Sequence, residues 1–195
     1  PGGRCPPGHS RSIGAKKKMC GRFAITLPDD AMAALFDAAD PESLSRLTEI
    51  VSKSIGVRRT SVWQFNQDGG MLRCIDCYDR ESDGHTQDTR LTKTEFRHLF
   101  DVLQVSEDIL APDAGGDDRI AELYRVYLQP LGCESFLAVP IRHLKETAGW
   151  LWFEHDQLSR NWSSEEISFA RAIANMLALR FSADQKSIST SAAPI

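Results

Sequence analysis

No apolar run in this 195-residue sequence approaches the ~18 residues that a membrane-crossing helix requires, and no segment joins an apolar core to a cleavage site as a signal peptide does. A membrane partner is not expected, and the cytoplasm is the expected location. A second Cys-x-x-Cys is absent, so the pair Cys74 and Cys77 stands without the four ligands of a structural zinc site. The five cysteines (Cys5, Cys20, Cys74, Cys77 and Cys133) are odd in number. A chain of this size buries a core without disulfides, so the thiols are read as reduced. No internal repeat is visible. The net charge of −4 argues against general nucleic-acid binding. The charge is uneven, because residues 1–27 hold six Lys/Arg and no acid. The chain begins at Pro1 and not at Met, as a fragment or processed product does, and Pro1–Lys18 reads as a disordered leader.

What is present is a mixture of helix and strand periods. Pro28 with Asp29 and Asp30 predicts a short helix. A second start follows at Asp40 and Pro41, with Leu44, Leu47, Val51 and Ile55 on one face and Gly56 as the stop. Arg58–Phe65 and Met71–Tyr78 read as strands joined by the turn Asp68-Gly69-Gly70. Asp79–Asp88 reads as a polar loop. Phe96, Leu99, Phe100 and Leu103 follow the i, i+3, i+4, i+7 pattern of an amphipathic helix. A short strand over Asp108–Ala111 follows, then a helix from Asp118 to Gln129 burying Ile120, Leu123, Tyr124, Tyr127 and Leu128. Two more strands span Glu134–Ile141 and Thr147–Glu154. Ser163 and Glu166 form a capping box for a last helix, and 184–195 reads as a flexible tail. Antiparallel hairpins mixed with helices make this an α+β fold with helices packed on the sheet.

Several words sit in this order: Ser61-Val62-Trp63-Gln64-Phe65, Ile109-Leu110-Ala111-Pro112-Asp113-Ala114, Tyr127-Leu128-Gln129-Pro130-Leu131-Gly132, Ala138-Val139-Pro140-Ile141, Gly149-Trp150-Leu151-Trp152-Phe153-Glu154-His155 and Trp162-Ser163-Ser164-Glu165-Glu166. Together they resemble the GAF family over about residues 41–183, in the subtype found ahead of bacterial histidine kinase and cyclase modules. The resemblance implies an antiparallel sheet of five to six strands. Terminal helices would cover one face, and a pocket under middle helices and loops the other. It implies a sensory or regulatory module of signal transduction, not an enzyme. Such a module binds a small molecule or partner and signals through its terminal helices to an output domain such as a histidine kinase or cyclase, in a longer or separate chain.

Projected onto that fold, Tyr124, Tyr127, Leu128 and Phe136 line or roof the pocket, with Phe96, Phe100 and Trp152 beside them. Aromatic walls suit a flat organic ligand, although aromatic residues at helical spacing are also ordinary core. The Asn-Lys-Phe-Asp-Glu constellation of cyclic-nucleotide GAF domains cannot be assembled, and the context of Cys133 does not match a bilin attachment site. No cofactor is named, and the sequence leaves open whether one binds. Cys74 and Cys77 are a metal or redox alternative, weakened because positions i and i+3 of a strand point to opposite faces. His85 lies in the polar loop, His98 on the polar side of its helix, and His143 and His155 at strand ends. Phe169, Ile173 and Met176 read as surplus apolar surface on the last helix, which suggests a homodimer through the terminal helices.

The stretch Met19-Cys20-Gly21-Arg22-Phe23-Ala24, continuing to Asp40, resembles the start of the SRAP family, the SOS-response-associated peptidases. In that family the cysteine after the initiator methionine captures abasic-site DNA through its α-amine and thiol. Cys20 is the corresponding candidate. The family's later motifs are absent, and no activity is expected from this fragment.

Overall fold

The computed structural model describes residues 41–143 and 146–191; for Pro41 and 182–191 only the backbone is described. The expected leader, the SRAP-like stretch 19–40 with Cys20, and residues 192–195 lie outside the described residues.

Helix α1 (Pro41–Ile55) is followed by strands β1 (Arg59–Phe65), β2 (Met71–Asp79), β3 (Gly84–Thr86) and β4 (Arg90–Thr92). Helix α2 (Arg97–Val105), strand β5 (Ile109–Ala111) and a short α-turn, α3 (Ala121–Leu123), lead to strands β6 (Ser135–His143) and β7 (Glu146–His155) and helix α4 (Ser164–Ser191). Among the described residues the sheet has seven strands in the order β3-β2-β1-β7-β6-β5, with β4 also on β2. All pairings are antiparallel. The α+β reading holds. The excess over five to six strands comes from β3 and β4, two three-residue strands that share the outer edge of β2 in and just after the segment read as loop. Such short edge strands carry too few residues to show a period.

The sheet separates two apolar layers. On one face α1 and α4 bury Leu47, Val51, Val62, Leu151, Phe153, Ile173, Leu177 and Phe181. On the other, α2 and the segment Asp118–Leu131 cover Trp63, Phe100, Leu103, Phe136, Trp150 and Trp152. The ends of α1 and α4 are those the sequence marks. Gly56 closes α1 at φ +73°, and its N–H bonds the Ser52 carbonyl at 2.9 Å. Ser163 and Glu166 exchange the two hydrogen bonds of the capping box, at 2.8 and 3.1 Å. Arg160 staples these two ends. It donates to the Ile55 carbonyl at the C-terminus of α1 (2.8 Å) and pairs with Glu166 at the start of α4 (2.6 Å).

Three expectations change. First, the stretch expected to be one α-helix is a series of tighter and wider turns: 3-10 over Asp118–Ile120, α over Ala121–Leu123, π over Tyr124–Leu128 and 3-10 over Gln129–Leu131. The π turn adds one residue between Leu123 and Leu128, so both are buried while Tyr124 and Tyr127 are half-buried. Second, Phe169 and Ile173 are not surplus surface. They are buried in the layer beneath α4, and among the described residues Leu179 is the large apolar side chain that α4 exposes. Third, α4 runs to Ser191, into the expected tail, because neither Gly nor Pro interrupts 182–191.

Gly149 marks the closest approach of β7 to its neighbours. A Cβ there would collide with the Trp63 carbonyl oxygen and lie 3.0 Å from the Phe181 ring. Gly149→Ala should destabilise the fold by about 1–3 kcal/mol, read as a lower urea midpoint. An unchanged midpoint would show that α4 and β1 can yield.

Candidate functional site

The site is built on the two central strands. Arg59 lies opposite Glu154, Ser61 opposite Trp152, and Trp63 opposite Trp150. Alternation sends all six to the face away from α1 and α4. Trp152 then sits at the centre of an aromatic group. Its ring lies 4.4 Å from Trp63, 5.3 Å from Phe136 and 6.3 Å from Tyr127, centroid to centroid. The edge-to-face geometries of the last two pairs are those that ring quadrupoles favour.

Beside these rings lies a buried polar cluster. Arg59 Nη1 is 3.1 Å from Glu154 Oε2, and Nε is 3.5 Å from Asp79 Oδ2. Arg59 Nη2 donates to Cys77 Sγ at 3.2 Å and to the Tyr127 hydroxyl at 3.4 Å. That hydroxyl in turn donates to Glu154 Oε1 at 3.3 Å, and the Cys133 thiol donates to Oε2 at 3.7 Å. Burial would lower the Arg59 pKa, but Glu154 and the neighbouring Tyr127 and Cys77 outweigh it and hold the guanidinium charged. Burial pushes the fully enclosed Glu154 carboxyl up from its ordinary range, against the pull of Arg59. The same burial raises the Tyr127 hydroxyl.

The three cysteines of the described region all enter this layer. The expectation that Cys74 and Cys77 face opposite sides of a strand is wrong. Val62 pairs with Asp76 and Trp63 with Cys74, so Ile75 is the extra residue of a β-bulge. That one residue inverts the alternation and brings both thiols to the same face. Burial pushes Cys77 up to about 11 and Cys133 to about 12, and raises Cys74 further. Thiols held protonated in this way are poor nucleophiles. Among the described residues no group of three or more His, Cys, Asp or Glu is arranged to hold a metal ion.

Of the residues expected to form a pocket, Phe96, Phe100, Leu128, Phe136 and Trp152 are buried together in this layer, with Tyr124 and Tyr127 packed at its margin. Tyr124 donates to Glu134 at 3.3 Å. A surface cleft of about 720 Å3 lies at the far end of β1, lined by Gln64, Phe65, Leu103, Gln104 and Thr147 among others, and none of the seven expected residues lines it. His85 lies on β3, 3.1 Å from the buried Asp76. His155 is buried at the end of β7, where burial and Arg160 lower its pKa.

Sequence reasoning missed Arg59, Glu154 and Asp76. The signal was present: each is a charge in a strand that also carries Val62 and Trp63, Ile75 and Cys77, or Trp150 and Trp152, and charges so placed are rarely buried without a partner.

In the native protein the three thiols should resist alkylation at pH 8, reacting at least about 100-fold more slowly than in urea. Their raised pKa values also fix a sign. The unfolded thiols ionise first, so stability should fall as pH rises from about 9 toward about 11. Native thiols that react at the unfolded rate would contradict both statements.

The GAF domain model matches residues 41–181. The GAF domain of a phosphoenolpyruvate-protein phosphotransferase from Coxiella burnetii is 17% identical, with a TM-score of 0.66 over 86% of this chain and 99% of that one. A phycocyanobilin-bound GAF domain from a cyanobacterial phytochrome is 18% identical, at 0.63 over 78% and 90%. The free methionine-R-sulfoxide reductase of Neisseria meningitidis, solved with its substrate, is 12% identical, at 0.63 over 83% and 89%. At these identities the solved structures speak for the fold alone. No curated protein matches the sequence. The family pattern, spanning the sheet and both of its covering layers, places this chain in the GAF domain family.

Proposed function

We propose that residues 41–181 are a sensory or regulatory module and not an enzyme. It takes up a small planar molecule or a partner segment beneath the Asp118–Leu131 roof and signals through α1 and α4. The observation that carries this reading is the double use of β1 and β7. Their odd-numbered β1 positions and even-numbered β7 positions hold Arg59, Trp63, Trp152 and Glu154, while Val62, Leu151 and Phe153 between them support the terminal helices. A change at the roofed face therefore reaches the helices across the thickness of one sheet. The roof suits this role. Its consecutive 3-10, α and π turns lack the continuous i→i+4 ladder of a long helix, and one tyrosine hydroxyl ties it to the buried ion pair. The phytochrome domain and the Neisseria reductase hold small molecules in the same fold.

Helix α4 continues ten residues past Phe181, the last core side chain among the described residues, a length of about 15 Å at 1.5 Å per residue. A helical stretch of this length is marginal in water on its own. A second copy along α1 and α4, leading to an output domain such as a histidine kinase or cyclase in the cytoplasm, gives it support.

Native mass spectrometry of the purified protein should show a small molecule that unfolding releases. Readdition should quench tryptophan fluorescence saturably, and Trp152→Ala should weaken binding at least about tenfold, equivalent to about 1.4 kcal/mol. A bare chain that binds nothing in a metabolite library, or one that turns its ligand over, would overturn the reading. Light scattering that shows a strict monomer at high concentration would remove the homodimer.

A further inference from the structure

Asp76 and Cys77 are consecutive residues that serve opposite faces of the sheet. Cys77 Sγ is 3.2 Å from Arg59 Nη2 and so belongs to the buried cluster. Asp76, with no exposed surface, faces α1. It accepts hydrogen bonds from Ser45 Oγ at 2.8 Å and from Thr48 Oγ1, both on α1, and its Oδ2 lies 3.1 Å from His85 Nδ1 on β3. The Ile75 bulge sits immediately before the two and sets which face each occupies.

We infer that this pair is the lever by which the state of the Arg59 cluster sets the docking of α1, so that α1, and not α4, is the helix that responds first. This deepens the sensory reading and rests on it. The physical ground is the kind of contact each helix makes with the sheet. Beneath α4 the strands present Leu137, Val139, Leu151 and Phe153, an apolar surface whose attraction is non-directional, and the ion pair of α4 with the sheet, Arg171–Asp108, lies at its exposed edge. Beneath α1 they also present a buried carboxylate whose hydrogen bonds depend on distance and angle. The two Cα atoms are about 3.8 Å apart, so a displacement of Cys77 by about 1 Å carries Asp76 with it. An Asp76 oxygen drawn away from Ser45 and Thr48 would be a buried anion short of partners. The strand offers it no cheap relief, because β2 is held on both edges, by β1 and by β3 and β4.

A physical chain of contacts becomes a coupling only when two perturbations fail to act independently. The test is hydrogen–deuterium exchange on the full chain, without ligand, in Glu154→Gln and in the milder Tyr127→Phe, each alone and combined with Asp76→Asn. Either cluster variant should speed exchange over 44–55 at least fivefold and over 164–181 less than twofold. In the Asp76→Asn background the same variant should add nothing further over 44–55. Equal effects on both helices, an unchanged α1, or an effect that survives Asp76→Asn would each overturn the lever. Tyr127→Phe removes one hydroxyl and keeps the ring, so it supplies the result should Glu154→Gln fail to fold. Because no ligand is used, the lever can fail while the binding experiment above succeeds, and the two failures remain distinct.

Discussion

A guanidinium and a carboxylate enclosed side by side in an apolar layer hold their surroundings to one arrangement. Either charge left alone there would lose its hydration without compensation, a loss on the order of several kcal/mol. Arg59 and Glu154 are such a pair, and they join the two central strands of the sheet. Tyr127 reaches both, which fixes the π turn above them, and that turn fixes which of its neighbours enter the core. Cys77 and Cys133 complete the contacts from β2 and from the segment before β6. Much of the roofed face is thus referred to one ion pair.

The opposite face follows a different principle. Its energy comes from apolar burial, which is non-directional, and its geometry comes from a few polar ties. Arg160 joins the end of α1 to the start of α4, Asp76 seats α1 on β2, and Arg171 pairs with Asp108 at 2.5 Å to bring α4 to the entry of β5. The proposed signalling through the helices would use this combination. Apolar burial keeps them attached, and a small number of directional bonds gives them distinct positions to move between.

Local chemistry made much of the fold legible in the sequence. Asp68-Gly69-Gly70 forms the expected turn, with Gly69 at φ +69°, because few other residues adopt that conformation at little cost. The Ser163–Glu166 box and the Gly56 stop were legible for similar reasons, since each uses side-chain or backbone chemistry confined to four residues. What escaped were one-residue insertions. The Ile75 bulge and the π turn at Tyr124–Leu128 each shift a period by one, and nothing in Ile, Tyr or Val as residue types announces such a shift. The consequences were large: two cysteines assigned to opposite faces share one, and two tyrosines expected in the core sit at its margin. The candidate site was legible in its aromatic half, Trp152, Phe136 and Tyr127, and not in its charged half. Arg59 and Glu154 are 95 residues apart in sequence, and only the register of β1 on β7 brings them together.

The organising role of that pair is open to a double-mutant cycle on stability. Arg59→Met and Glu154→Leu should each destabilise the protein by about 3–5 kcal/mol, because each strands its partner's charge in the core. The double variant, which removes both charges, should recover to within about 1–2 kcal/mol of the wild type. Additive losses in the double variant would mean that the two residues act separately, and would contradict the account of the site given above.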